Sequence, residues 1–214
     1  MPLRRSPMSL DRFTMASRGK RKSGRSEFPP NPTQWNAERH GLHFRERFAL
    51  AADEPLRPFG LQLPTVVVVA TRDALAEFVD QNTLKRLLGR HRGKWSGMTI
   101  PCDDEFIVVI NATHHQNRKN ATLMEEFFHI IHEHKPSKVS CCPITGVVRR
   151  DYDKQIEDEA YHAAAAALVP YYSLGTMVDR GATRQEIAEH FEVSADLVGF
   201  RLKVCKLWRK CSLN

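Results

Sequence analysis

Residues 122–134 read Thr122-Leu-Met-Glu125-Glu126-Phe-Phe-His129-Ile-Ile-His132-Glu133-His134. In a helix, positions i and i+4 share a face. Glu125 and His129 can therefore address one atom, with Glu126 beside them. This is the geometry of the H-E-x-x-H zinc helix, in which ligands at i and i+4 hold the metal and the intervening Glu acts as base, but with a Glu where the first His stands. A hydrolytic zinc site takes three protein ligands and keeps one position open for water. His129 is an ordinary imidazole ligand and Glu125 an oxygen ligand. The third must come from elsewhere, and the acidic stretch Glu157-Asp158-Glu159-Ala160 is the best source. Glu126 is then the general base toward a water whose pKa the metal lowers to about 7. A carboxylate in place of an imidazole makes the site more anionic and the ion a weaker Lewis acid. The expectation is a slower zinc enzyme, or one that uses a harder ion such as Mn2+ or Fe2+.

Two helices must carry these groups. The first starts at Asn120 or Thr122 and is bounded by Pro136. The second covers Lys154 to Leu168, is strongly helical through five consecutive alanines, and stops at Pro170. Upstream, Asn36 to Ala52 has helical spacing, and the β-branched run within residues 64–70 reads as a buried strand. Thr71 can cap a helix over Asp73 to Leu88 that buries Leu75, Phe78, Val79 and Leu84, with Gly89 and Gly93 ending it. Met98 to Cys102 and Phe106 to Asn111 read as strands joined by the acidic turn Asp103-Asp104-Glu105. A short hairpin is expected around Thr145-Gly146, and a helical region from Ser173 to Trp208.

Two blocks resemble the ImmA/IrrE family of metallo-endopeptidases. One is Ile110-Asn111-Ala112-Thr113-His114, Arg118, Thr122 through His129, and His134-Lys135-Pro136-Ser137. The other is Glu157-Asp158-Glu159-Ala160, Ala163-Ala164 and Leu168-Val169-Pro170. The likeness spans roughly residues 60–205. It implies a cytoplasmic zinc protease, often paired with a helix-turn-helix repressor that it cleaves in phage, mobile-element or stress responses. Carried over by position, Glu126 matches the general base, His129 the second His ligand, and Glu157 the carboxylate third ligand, with Glu159 as the fallback. Glu125 stands where the family has its first His. That departure supports an alternative reading: a weakly active or inactive member acting as a DNA-binding or protein-binding regulator.

Other constellations compete. Glu126-x-x-His129 and Glu159-x-x-His162 are two E-x-x-H pairs, the motif of di-iron carboxylate bundles, but the strand-rich segments leave too few long helices for such a bundle. His114 and His115 precede the motif helix and are either surface loop residues or candidate substrate contacts. His134 is a third candidate, or else a cation at a helix C-terminus. Ile187-Ala188, Val193-Ser194, Val198 and Leu202 have helix-turn-helix spacing, with Ser194 as a cap. Arg201 and Lys203 are its candidate DNA contacts. Asp196 opposes phosphate there, and Ala195, Leu197 and Gly199 offer little base recognition.

Composition sets the frame. The 214 residues are 42% hydrophobic, enough for the core of one domain with a small appendage. Of the formal charge of +7, residues 1–30 carry +6, so the basicity belongs to a tail and not to a binding face. That tail offers at most weak nucleic-acid contact. Five cysteines, with Cys141 and Cys142 adjacent, make a poor disulfide framework. With no signal peptide and no apolar run near the ~20 residues that span a bilayer, a reducing cytoplasm and no membrane partner are expected. The predicted fold is α+β: a zincin-like core with a small mixed or antiparallel sheet packed on the E-E-x-x-H helix. Residues 1–32 form a basic disordered tail, 33–172 the catalytic domain, and 173–214 a helix-turn-helix-like extension packed on it.

Overall fold

The computed structural model describes residues 32–135, 139–141, 148–150 and 153–211. The basic tail up to residue 31, Cys142 and the Thr145-Gly146 turn lie outside these residues. Pro32 opens helix α1 (Pro32–Arg47), where a missing N–H is harmless. Three strands follow: β1 (Val66–Val69), β2 (Gly97–Cys102) and β3 (Glu105–Ile110). Their order is β1-β3-β2, with β1 parallel and β2 antiparallel to the central β3. The sheet is therefore mixed. Asp103, in the left-handed region at φ 50°, turns β2 into β3. The valine run is not a buried strand as expected. β1 is an edge strand, and Val67 keeps 44% of its surface exposed.

Each face of the sheet meets a different layer. Val108 and Ile110 pack with Leu123, Met124, Phe127 and Phe128 of α4 (Gln116–Ile131) and with the alanines of α5 (Lys154–Leu168). Val69 and Val109 pack instead with Leu75 and Leu84, from α2 (Arg72–Ala76) and α3 (Gln81–Lys85). One helix was expected across this region; there are two short ones and a wider π-type turn over Arg86–Arg90. Thr71 caps the first, as the sequence suggests. Asp80 breaks the run, because its Oδ1 accepts from Asn82 N–H at 2.9 Å and Thr83 N–H at 3.1 Å and so starts a new helix. Phe78 is left exposed. Between α4 and α5, β4 (Val139–Cys141) pairs antiparallel with β5 (Val148–Arg150), flanking the expected hairpin turn.

The five-alanine run serves packing as well as propensity. Ala163 to Ala167 are all buried where α1 and α4 press on α5. At Gly41 of α1, a Cβ would stand 2.6 Å from Ala167 N and 2.8 Å from Ala166 C, so only glycine permits this approach. Two buried arginines then satisfy carbonyls at the C-terminal end of α5, which has no helical partners for them. Arg45 donates to Ala167 O at 2.7 Å. Arg201 Nε donates to Val169 O at 2.9 Å, and its guanidinium pairs with buried Glu38. Glu38 Oε1 also accepts from Tyr171 N–H at 2.6 Å, at the start of α6 (Tyr171–Asp179).

The tail continues as α7 (Arg184–His190), α8 (Ala195–Val204) and α9 (Trp208–Cys211). Thr183 and Glu186 form a capping box on α7, and Ser194 caps α8. Two capped helices thus stand where the sequence has this spacing, but Arg201 does not take the role expected of it. Arg201 is 2% exposed and engaged with Glu38 and Val169, so it cannot reach a phosphate. Exposed Lys203 remains on α8, and Arg184 pairs with Asp196 at 2.8 Å. Among the described residues no helix is long and apolar enough to cross a membrane.

Candidate metal centre

Glu125 and His129 lie one turn apart on α4 and face the first turn of α5, which Asp153 caps by accepting from Gln155 N–H at 2.9 Å. That cap fixes where Glu157 emerges. One donor atom each from Glu125, His129 and Glu157 lie within 4.8 Å of one another, and all three residues are half-buried. His129 Nε2 stands 3.8 Å from Glu157 Oε2. This is too long for a hydrogen bond. Two donors on one tetrahedral zinc ion stand about 3.4 Å apart, so the spacing is of the size a bridging cation requires. Two carboxylates and one imidazole form a donor set suited to a divalent ion.

Glu126 belongs to no such group. It points at β2, where the Thr99 hydroxyl donates to its Oε2 at 2.6 Å. Strand and helix approach closely because residue 97 is glycine: a Cβ there would meet Thr122 Cγ2 at 2.6 Å and Glu126 Oε1 at 3.2 Å. Glu126, next in the chain to Glu125, thus faces an edge strand of the sheet. Glu159, two residues beyond Glu157, falls into a different group with His40 and His132. The E-x-x-H pairing with His162 does not form either. His162 packs against Phe200 at 5.0 Å between ring centroids, and neither it nor Glu126 joins a metal-type cluster among the described residues.

His134 is placed by the end of α4. Glu133 takes the left-handed conformation at φ 53°, Glu133 N–H bonds to Ile130 O at 3.0 Å, and His134 N–H bonds to His129 O at 2.9 Å. This is a Schellman turn, and it folds the chain back so that His134 Nδ1 lies 3.0 Å from His129 Nδ1. His134 thus backs His129 at the end of the helix, where the sequence placed it. If His129 Nε2 faces the trio, its Nδ1–H is the donor in this pair. His132, at the helix terminus, is held down to a pKa of about 4, first by burial and then by the neighbouring imidazoles, and is neutral.

His114 and His115 are placed far from the trio. His115 is the N-cap of α4, its Nδ1 accepting from Asn117 N–H at 3.3 Å, so α4 starts earlier than expected. His114 lies 3.4 Å from Asn111 Nδ2. At 1.5 Å rise per residue, His115 sits about 15 Å along the helix from Glu125. A cavity of about 430 Å3 does open at that end of α4, lined by Gln116, Asn120, Gln185, Ala188 and Glu189, and no member of the trio lines it.

Tyr161 escaped the sequence reading. It lies one turn after Glu157 on α5, with its ring 4.8 Å from Phe200. Burial, and next the charge of Glu125, push its pKa up. It therefore remains a phenolic donor close to the carboxylates. Its i+4 spacing from Glu157 was the available signal.

A model of the IrrE N-terminal-like domain, a peptidase family, matches residues 84–203, more than half of the chain. The chain belongs to that family. No curated protein and no solved structure matches it. The IrrE-like match takes in β2, β3, α4 and α5, and with them Glu125, Glu126, His129, Glu157 and Tyr161. An IrrE-like domain is metallopeptidase-like, which suggests a divalent metal, and the His/Glu groups here are candidates to hold one. Helix α1 and strand β1 lie outside the matched segment.

Proposed function

We propose that the chain is a metal-dependent endopeptidase of the cytoplasm that cleaves a regulatory protein, such as a helix-turn-helix repressor. Glu125, His129 and Glu157 would hold the ion, with Zn2+ the leading candidate and Mn2+ or Fe2+ the alternatives for so anionic a site. The observation that carries this reading is the convergence of those three side chains beside a fourth, Glu126, that stays outside the group. The bound ion would supply Lewis acidity toward a peptide carbonyl and toward water. Glu126 is the proton carrier. Thr99 holds its Oε2, which orients the carboxylate to take a proton from the attacking water and return it to the leaving amine. Tyr161, kept protonated, is a donor for charge that develops on the carbonyl oxygen. Substrate has a natural track in β2, an edge strand of the sheet that carries the Thr99 contact. An extended peptide can add beside β2 through main-chain hydrogen bonds.

The test pairs metal loading with cleavage. Wild-type protein, stripped and reloaded with Zn2+, should convert a candidate helix-turn-helix repressor into discrete fragments seen by mass spectrometry. His129→Ala should yield none. An intact repressor after incubation with an equimolar amount of metal-loaded wild type refutes the peptidase assignment for that partner, and metal binding unchanged in His129→Ala refutes the ligand assignment.

His134→Ala has its own expected result. Removing the group behind a ligating imidazole typically weakens metal affinity by about 10–100-fold. Competition against a chromophoric chelator measures it, and an unaltered affinity makes His134 a bystander.

A further inference from the structure

We propose that His40, His132 and Glu159 form a second divalent-metal site, which ties α1 to α4 and α5. One donor atom from each lies within 4.8 Å of the others, and none of the three belongs to the Glu125–His129–Glu157 group. The decisive residue is His132. Its side chain is 10% exposed, and neither ring nitrogen has a hydrogen-bond partner. Its Nδ1 stands 3.9 Å from Glu159 Oε1, too far to bond directly. A buried imidazole with both nitrogens unsatisfied is an unfavourable arrangement that calls for an explanation. A cation between His132 and Glu159 takes up one of those two nitrogens.

The surroundings fit such an ion. His40 meets His132 edge-on with ring centroids 4.6 Å apart, and the Phe128 ring lies 5.5 Å from the same imidazole. Glu159 is the half-exposed member, which gives the ion a way in. His134 Nε2 lies 3.6 Å from the second oxygen, Glu159 Oε2, so the carboxylate is flanked by imidazoles on both sides. Two imidazole nitrogens and one carboxylate oxygen favour Zn2+, Co2+ or Ni2+ over Mg2+ or Ca2+. The three ligands come from residues 40, 132 and 159, on or at the ends of three helices, and His40 lies outside the family-matched segment. The ion would therefore act as a cross-link between helices, independent of the peptidase chemistry.

Zinc titration of the full chain after chelator stripping tests this, with bound metal counted by plasma mass spectrometry and folding checked by circular dichroism. Wild type should bind two ions per chain. His132→Leu and the milder His40→Gln should each bind one. His129→Leu should also bind one, and Zn2+ should still raise its melting temperature, an effect lost in the His129→Leu/His132→Leu double variant. If wild type binds a single ion that His129→Leu abolishes, the second site is wrong while the peptidase site stands. Folded His132→Leu and His40→Gln proteins that both keep two ions overturn it as well.

Discussion

Glu126→Gln is expected to slow peptide hydrolysis by about 10^2–10^4-fold, the usual contribution of a positioned general base, while leaving metal content unchanged. The amide has the size of the carboxylate and can still accept from the Thr99 hydroxyl through its oxygen, so the local packing survives. What it cannot do is take up a proton. Because Glu126 stands outside the Glu125–His129–Glu157 group, its substitution separates the two functions that Glu157→Ala would remove together. The measurement is single-turnover cleavage alongside metal stoichiometry on the same preparation. Equal cleavage by wild type and Glu126→Gln would place the base elsewhere.

The largest expected effect on stability comes from Arg201→Ala. Arg201 and Glu38 are an ion pair with side chains 2% and 3% exposed. Removing one partner of such a pair leaves an uncompensated buried charge and destabilises by about 3–5 kcal/mol. Val169 O loses its donor at the same time. For a chain of this length, each kcal/mol lowers the melting temperature by roughly 2–4 °C, so a fall on the order of 6–20 °C should appear in a thermal scan. A Glu38→Leu/Arg201→Met double variant should recover part of it, because no uncompensated charge is left, while Val169 O and Tyr171 N–H stay without these partners. Were Arg201 a phosphate contact, the melt would not move and only salt-sensitive DNA binding would suffer.

Arg201 also shows where the sequence stops being legible. In one dimension it is a basic residue among others near the C-terminus. Its partner Glu38 is 163 residues away, and nothing local marks either as buried. The motif helices were readable because their information is local: i,i+4 spacing for Glu125 and His129, an alanine run and a proline stop for α5, hydroxyl caps at Thr71 and Ser194. The choice between Glu157 and Glu159 is different. Two residues apart on a helix, they point about 200° apart, and only the packing of α5 between α1 and α4 decides which one meets His129. The break at Asp80 is hidden for the opposite reason. Its capping chemistry is local, but the apolar spacing across residues 73–88 suggested an unbroken helix. His115, a candidate substrate contact in the sequence, is the cap of α4 in the structure, and a cap and a binding group look alike until the first helical turn is seen.

The close approach of Gly41 to Ala166 and Ala167 has a wider meaning for where this protein can be cut. The segment before residue 84 supplies Glu38 to Arg201, Arg45 to the end of α5, and strand β1 to the sheet. A fragment trimmed to the family boundary would carry a bare stripe of alanines and a stranded guanidinium. The region that defines kinship is thus smaller than the unit that folds, and α1 is part of the scaffold under the candidate active centre.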